Sequence, residues 1–239
     1  LHLLSRRQRQ MCIRDRKGYA ERNPEADVEG YDACRKIAIL TSLALGKQVD
    51  YQDIYTEGIT KITKTDIEYA KALHASIKLL GTSKWEDDGK IYSMVAPFMI
   101  DSDHPLGHVN GVFNGIFVNG NMLGDTMFYG KGAGKLPTAS AVVADVVDAV
   151  KHQGTNIMTI WEQDKVELGD RANFACRFFV RVADTTSKET IEKVFGEVEY
   201  VTLADVSGEY AFLTEKLTEG AFEEKSKQVD MIMRIRTAL

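Results

Sequence analysis

Residues 176–239 carry, in order, CRFFVRVA (176–183), SKETIEKVFG (187–196), VEYVTL (198–203), EYAFLTEKL (209–217), GAFEEKSKQV (220–229) and DMIMRIRTAL (230–239). Aromatic and β-branched runs alternate with charged, helix-favouring runs, which gives the order βαββαβ. That order predicts a small α+β domain with an antiparallel sheet over 174–239. Immediately upstream, EQDKVELGDRAN (162–173) is polar and aperiodic, and 156–173 is expected to be a linker.

Further upstream, PTASAVVADVVDAVKH (137–152) has helical apolar spacing to about Val150, with Pro137 suited to a first turn. GVFNGIFVNGNMLGDTMFYG (111–130) reads as a hairpin turning at Asn119-Gly120 or Asn121, and KIYSMVAPFMI (90–100) as a strand. TDIEYAKALHASIKLL (65–80) predicts a helix capped by Thr65, with Glu68 completing a capping box and Gly81 closing it. DACRKIAILTSLALG (32–46) predicts a helix with Asp32 at its start and Gly46 at its end; its later turns are apolar on nearly every side, so it is expected to be buried. The resulting fold class is α+β: a mixed or antiparallel sheet with helices on one face over 17–155, then the βαββαβ unit. Residues 1–16, LHLLSRRQRQMCIRDR, differ in character from the rest of the chain and are expected to be a non-native or disordered extension.

The chain has 239 residues, 44% hydrophobic and 27% charged, enough for one large or two modest domains. A net charge of -5 leaves no chain-wide basic footprint, which argues against nucleic acid or an anionic membrane as partner and favours a small molecule. The three cysteines, Cys12, Cys34 and Cys176, have neither disulfide-framework nor zinc-ligand spacing, in keeping with a reducing cytoplasm. No apolar run reaches the roughly 20 residues of a membrane span, and no signal-peptide pattern opens the chain.

Two constellations could carry chemistry. In GYAERNPEADVEGYDACRK (18–36), Asp32 and Lys36 stand one helical turn apart on the same face. An exposed ion pair there is worth only ~0.3–0.5 kcal/mol and needs no function. Glu21 and Asp27, on a segment constrained by Pro24 and Gly30, add two carboxylates, and such a cluster can grip an amino group while one lysine supplies a proton. The second constellation is YGKGAGKLPT (129–138), between a strand and a helix. Its glycines permit close approach of a phosphate or ring, and a helix N-terminus offers free N–H groups, but a structural turn explains it equally well. It matches neither a Walker motif nor GxGxxG. His104 and His108 are separated by Pro105 and lack a completing carboxylate, so no metal is expected; His74 is expected to pack, and Met94, Met99, Met122 and Met127 to fill core.

The ordered string GYAExxPxxDVxGxDxxxK at 18–36 resembles the catalytic-segment signature of homoserine dehydrogenases, and YGxGAGxxPTASAVVxD at 129–145 is similar to a second stretch of that family. HPLGHVNGVFNGIFVNGNMLGD (104–125) fits the segment between, with Gly107 and Val112-Phe113 departing from the usual wording. The resemblance implies that Lys36 is the general acid for the aldehyde oxygen and that Asp32 orients substrate or water beside it. It also implies that Glu21 and Asp27 bind the amino acid end of the substrate, and that Gly134, with Gly132 next, touches the cofactor, NADP or NAD. The implied reaction interconverts L-homoserine and L-aspartate 4-semialdehyde on the route to threonine and methionine, in a cytoplasmic homodimer or homotetramer.

The position and order of 174–239 resemble an ACT-type regulatory domain. The glycine usual at its first strand-to-helix turn is absent from Asp184-Thr185-Thr186-Ser187-Lys188, so packing against a partner subunit is expected rather than threonine feedback. No GxGxxG half occurs in the 239 residues. The resemblance therefore implies a C-terminal fragment, inactive alone, with the nucleotide-binding domain and the family's metal-ion loop upstream. The rival expectation is a non-catalytic amino-acid-sensing or dimerisation module of ACT type.

Overall fold

Strand formers at 91–101 build the strand around which the main sheet is assembled. The computed structural model describes residues 25–132, 134–155 and 162–239, so the extension 1–16 and Glu21 lie outside it. In chain order the elements are α1 (Glu25–Val28), α2 (Tyr31–Leu45), β1 (Lys47–Gln48), β2 (Tyr55–Thr56), α3 (Lys64–Ala72), β3 (Ala75–Trp85), β4 (Ile91–Asp101), β5 (Phe113–Gly120) and β6 (Gly124–Lys131). They continue as α4 (Lys135–Lys151), β7 (Glu162–Lys165), β8 (Ala175–Ala183), α5 (Lys188–Phe195), β9 (Val198–Val201), β10 (Glu209–Thr214), β11 (Leu217–Thr218), α6 (Glu219–Ser226) and β12 (Met231–Ala238). The described residues form two compact units, one from 25–102 with 162–239 and the other from the described part of 103–160.

In the first unit, β3 pairs antiparallel with β4 without a break from Ala75↔Asp101 to Trp85↔Ile91. The other edge of β4 is therefore shared. β2 runs parallel to it at Met94 and Val95, and β12 runs parallel to it from Phe98 to Ile100. From β12 the sheet continues antiparallel through β8 and β10 to β9. Within 174–239 the four main strands thus stand in the order fourth, first, third, second, the split βαβ arrangement of a βαββαβ chain. These strands share one mixed sheet with β2, β3 and β4. Of the stretch 156–173, residues 162–165 form β7, which pairs parallel with β1.

Side-chain alternation along β8 explains how both sheet faces are covered. Phe178 stacks on Phe222 of α6, centroids 4.0 Å apart, and Phe195 of α5 joins them on that face. Phe179 points the other way, 5.5 Å from Tyr69 of α3. Tyr69 and Phe179 share a core with Met99, Leu213 and Ile235. On that same face α2 packs Cys34 and Ala38 against Val95, with Ile37 and Leu79 alongside. α2 and α3 therefore lie on one face of this sheet and α5 and α6 on the opposite one.

Four local expectations are corrected. The helix read over 65–80 ends at Ala72, and Ala75–Trp85 is strand. His74 breaks the helix in the left-handed region (φ 53), and is exposed rather than packed. Ile77, Leu79 and Gly81 lie on one face at period two, and an eleven-residue ladder to β4 outweighs local helix preference. The capping box uses Thr63 and Asp66, not Thr65 and Glu68: the Thr63 hydroxyl accepts from Asp66 N–H and the Asp66 carboxylate accepts from Thr63 N–H at 2.7 Å. Finally, α2 is buried on one side only, since Ile39 and Leu43 are 56% and 53% exposed.

In the second unit β5 and β6 form an antiparallel hairpin from Phe113↔Lys131 to Gly120↔Gly124. The turn therefore falls at 121–123, the second of the two places the sequence offered, with Gly124 at φ +72 absorbing its twist. Met122 sits on the exposed tip, 92% accessible, so it is not core filler; Met94 and Met99 are buried as expected.

Candidate active site

The acidic run EADVEGYD folds as two helix starts joined by one glycine. Glu25 and Asp27 occupy the first turn of α1 and Asp32 the first turn of α2, where carboxylates complement free N–H groups. Gly30 links them at φ 83, ψ 8, a conformation that favours glycine. A Cβ there would also meet Val95 Cγ1 at 3.0 Å and Thr56 Cγ2 at 3.3 Å. Gly30→Ala is expected to cost about 1–2 kcal/mol, read as a shift in the urea midpoint; an unchanged midpoint would show that the α1–α2 junction adapts freely.

Lys36, one turn below Asp32, donates to its carboxylate, Nζ to Oδ2 2.7 Å. The side chains are 56% and 47% exposed, so as an ion pair this contact stabilises little. It does bring the amine beside the Asp32 carboxylate at the head of α2. Asp27 is exposed on α1. The structure thus joins Asp32 to Lys36, keeps Asp27 one short helix away, and leaves Glu21 outside the described residues. An open cleft of about 480 Å³ beside α2 is lined by Arg35, Ala38, Ile39, Ser42, Gln48, Val49 and Tyr51. With neither carboxylate nor lysine in its wall, it is not the candidate centre.

In the second unit the glycine loop leads into the 17-residue helix α4. Gly134 is the N-cap of α4 at φ 114, ψ 153, a region essentially confined to glycine, and its carbonyl accepts from Thr138 N–H at 3.1 Å. Gly132 lies against the Asn114 side chain so closely that any Cβ would collide with it. Ala133, between them, lies outside the described residues. The backbone at Gly134 thus favours glycine, and a side chain at Gly132 would have to displace that of Asn114; the free N–H groups of the first turn of α4 are suited to a phosphate.

A family model described as homoserine dehydrogenase matches residues 11–147. The chain belongs to the homoserine dehydrogenase family. The homoserine dehydrogenase of Synechocystis is 51% identical over 136 residues, 56% of this chain and 31% of that protein. That of Helicobacter pylori is 38% identical over 177 residues, 74% of this chain and 42% of that protein. Among solved structures, a homoserine dehydrogenase from Thiobacillus denitrificans gives a TM-score of 0.79 at 28% identity, covering 95% of this chain and 57% of that one. The S. aureus homoserine dehydrogenase at pH 7.0 gives 0.76 at 30% identity, covering 97% and 59%. The chain spans about a third of the length of most curated homoserine dehydrogenases it matches.

Sequence reasoning missed a cluster of charges beside this homoserine dehydrogenase segment. Arg236 of β12 is fully buried; its guanidinium pairs with Glu219 at the start of α6 and donates to Glu57 at 2.8 Å. Arg234 reaches the same Glu57 oxygen at 3.0 Å, and Arg171 bridges Glu219 and Glu223. Burial alone would raise the Glu57 carboxyl, but Arg234 and Arg236 hold it below its ordinary value. The signal was present in MIMRIRTA, where two arginines at period two share one strand face. On the other face Arg181 of β8 binds Asp66 and Glu209, each at 2.6 Å.

Proposed function

We propose that this chain is the substrate-binding and catalytic segment of a cytoplasmic homoserine dehydrogenase that interconverts L-homoserine and L-aspartate 4-semialdehyde. The observation that carries the reading is the Lys36–Asp32 contact of 2.7 Å within the family-matched segment. A bound nicotinamide dinucleotide, NADP or NAD, supplies or accepts the hydride. Lys36 donates a proton to the carbonyl oxygen as the aldehyde is reduced and receives it back in the reverse direction. Asp32 holds the lysine ammonium at the head of α2 and so fixes where that proton is delivered. Asp27, with Glu21, binds the substrate ammonium by charge-assisted hydrogen bonds. Gly132 and Gly134 would admit the dinucleotide backbone, and the free N–H groups of the first turn of α4 would hold its phosphates.

No GxGxxG fingerprint occurs in the 239 residues, so this polypeptide alone is proposed to bind substrate without turning it over. Calorimetry of the 239-residue chain with L-homoserine is expected to give a binding isotherm that Asp27→Asn weakens about tenfold or more. NADPH with aspartate semialdehyde is expected to give no absorbance change. Homoserine binding untouched by Asp27→Asn sinks the site, and robust NADPH oxidation sinks the division of labour.

A second reading, an ACT-type amino-acid-sensing or dimerisation module, is supported by the strand order of 174–239. Deleting that segment is a poor test, since β12 and β8 belong to the sheet of β4. Titration of the intact chain with threonine or methionine separates the readings. Heat from either that Asp27→Asn leaves unchanged favours the module.

A further inference from the structure

The Glu57–Ile59 turn is held from one side by β12 and carries the acidic helix on the other. Glu57 N–H donates to Val95 O at 2.8 Å, and its carboxylate receives Arg236, Arg234 and the Tyr55 hydroxyl. Next to it, Gly58 lies flat against the end of α1: a Cβ there would meet Val28 O at 2.5 Å and Glu29 Cα at 2.6 Å. Ile59 N–H then donates to Val28 O at 2.8 Å. Two residues beyond Val28 stands Gly30, the hinge into the helix of Asp32 and Lys36. Arg236 is itself fixed by Glu219, whose helix α6 is capped by Thr218. An unbroken run of contacts therefore leads from α6 and β12 through Glu57 to the residues assigned to substrate.

We propose that Glu57 is a positioning residue: gripped by Arg234 and Arg236, it sets the seat of α1 and thereby the placement of Asp27 for the substrate amino group and of Asp32 beside Lys36, so that the βαββαβ segment tunes substrate affinity. The proposal rests on the assignment of Asp27 and Lys36 above. Its physical basis is that a half-buried carboxylate held by two arginines has one favourable position, and Gly58 and Ile59 transmit that position by direct contact with the α1 backbone. Movement of β12 or α6 on binding or subunit contact would shift the α1 seat with it.

The test compares two variants of the 239-residue chain. Glu57→Gln loosens the arginine grip on the α6 face, next to the Gly58–Val28 contact, while Glu209→Gln loosens the Arg181 cluster on the face that carries α2 and α3. Both remove one carboxylate from a buried arginine, so a general loss of stability affects them alike. Homoserine affinity by calorimetry is expected to fall about three- to thirtyfold in Glu57→Gln and less than about twofold in Glu209→Gln. Hydrogen exchange at the Ile59 amide is expected to quicken in Glu57→Gln only. Equal losses in the two variants, or unchanged homoserine affinity and Ile59 exchange in Glu57→Gln, overturn the positioning role. Absence of homoserine binding in the unsubstituted chain overturns the substrate assignment instead, and the Ile59 exchange then decides whether the grip exists.

Discussion

When this chain is joined to the nucleotide-binding half of a family member, Lys36→Met is expected to lower kcat for aspartate semialdehyde reduction about 10²–10⁴-fold, with KM and NADPH affinity within about threefold. Methionine keeps the helix-compatible, unbranched shape but removes the proton donor, and the contact it breaks is exposed enough that stability barely changes. Lys36→Arg is expected to rescue little, because a guanidinium holds its proton too tightly to deliver it. NADPH absorbance under saturating substrate measures the effect. A loss of less than about threefold would remove Lys36 from the chemistry and return the pair to the status of a surface contact.

Arg236→Ala is expected to be the most destabilising single change outside the hydrophobic core, about 3–5 kcal/mol. The guanidinium is wholly buried and neutralises Glu219, itself 1% exposed, together with Glu57. Its removal leaves the buried Glu219 with Arg171 alone and Glu57 with Arg234 alone, and the loss of side-chain volume beside Phe98 and Phe178 adds a cavity. For a domain with total stability of about 5–15 kcal/mol this is a large share. Circular dichroism melting is the direct measurement. A fall in Tm of only about 1–2 °C would mean that water enters and rescreens the site.

The sequence displayed the βαββαβ order of 174–239 because its strands and helices are short, separately bounded and strongly patterned. It also displayed the Asp32–Lys36 pair, since spacing within one helix is a local property. What it concealed was non-local. Leu73 to Leu80 satisfies helical and strand periodicities equally, and only the β4 partner decides. Nothing local in DACRKIAILTSLALG separates the face that packs on Val95 from the face of Ile39 and Leu43, which stays open in the described residues. The grip on Glu57 joins the residue after β2 to β12, a contact that no sequence window spans. Glu21 remains a reading from sequence resemblance alone.

The shared edge of β4 also bears on how the protein is made. While the chain leaves the ribosome, β2 can settle on the first half of that edge early, but the second half waits for β12, since Arg236 pairs with Phe98 only after nearly all of the intervening chain has emerged. During that interval apolar backbone from Phe98 to Ile100 has no permanent neighbour, and an open strand of this kind recruits whatever strand comes first. Expression at low temperature or with chaperones that shield unfinished sheets should therefore raise the soluble yield of this protein more than any change to its surface.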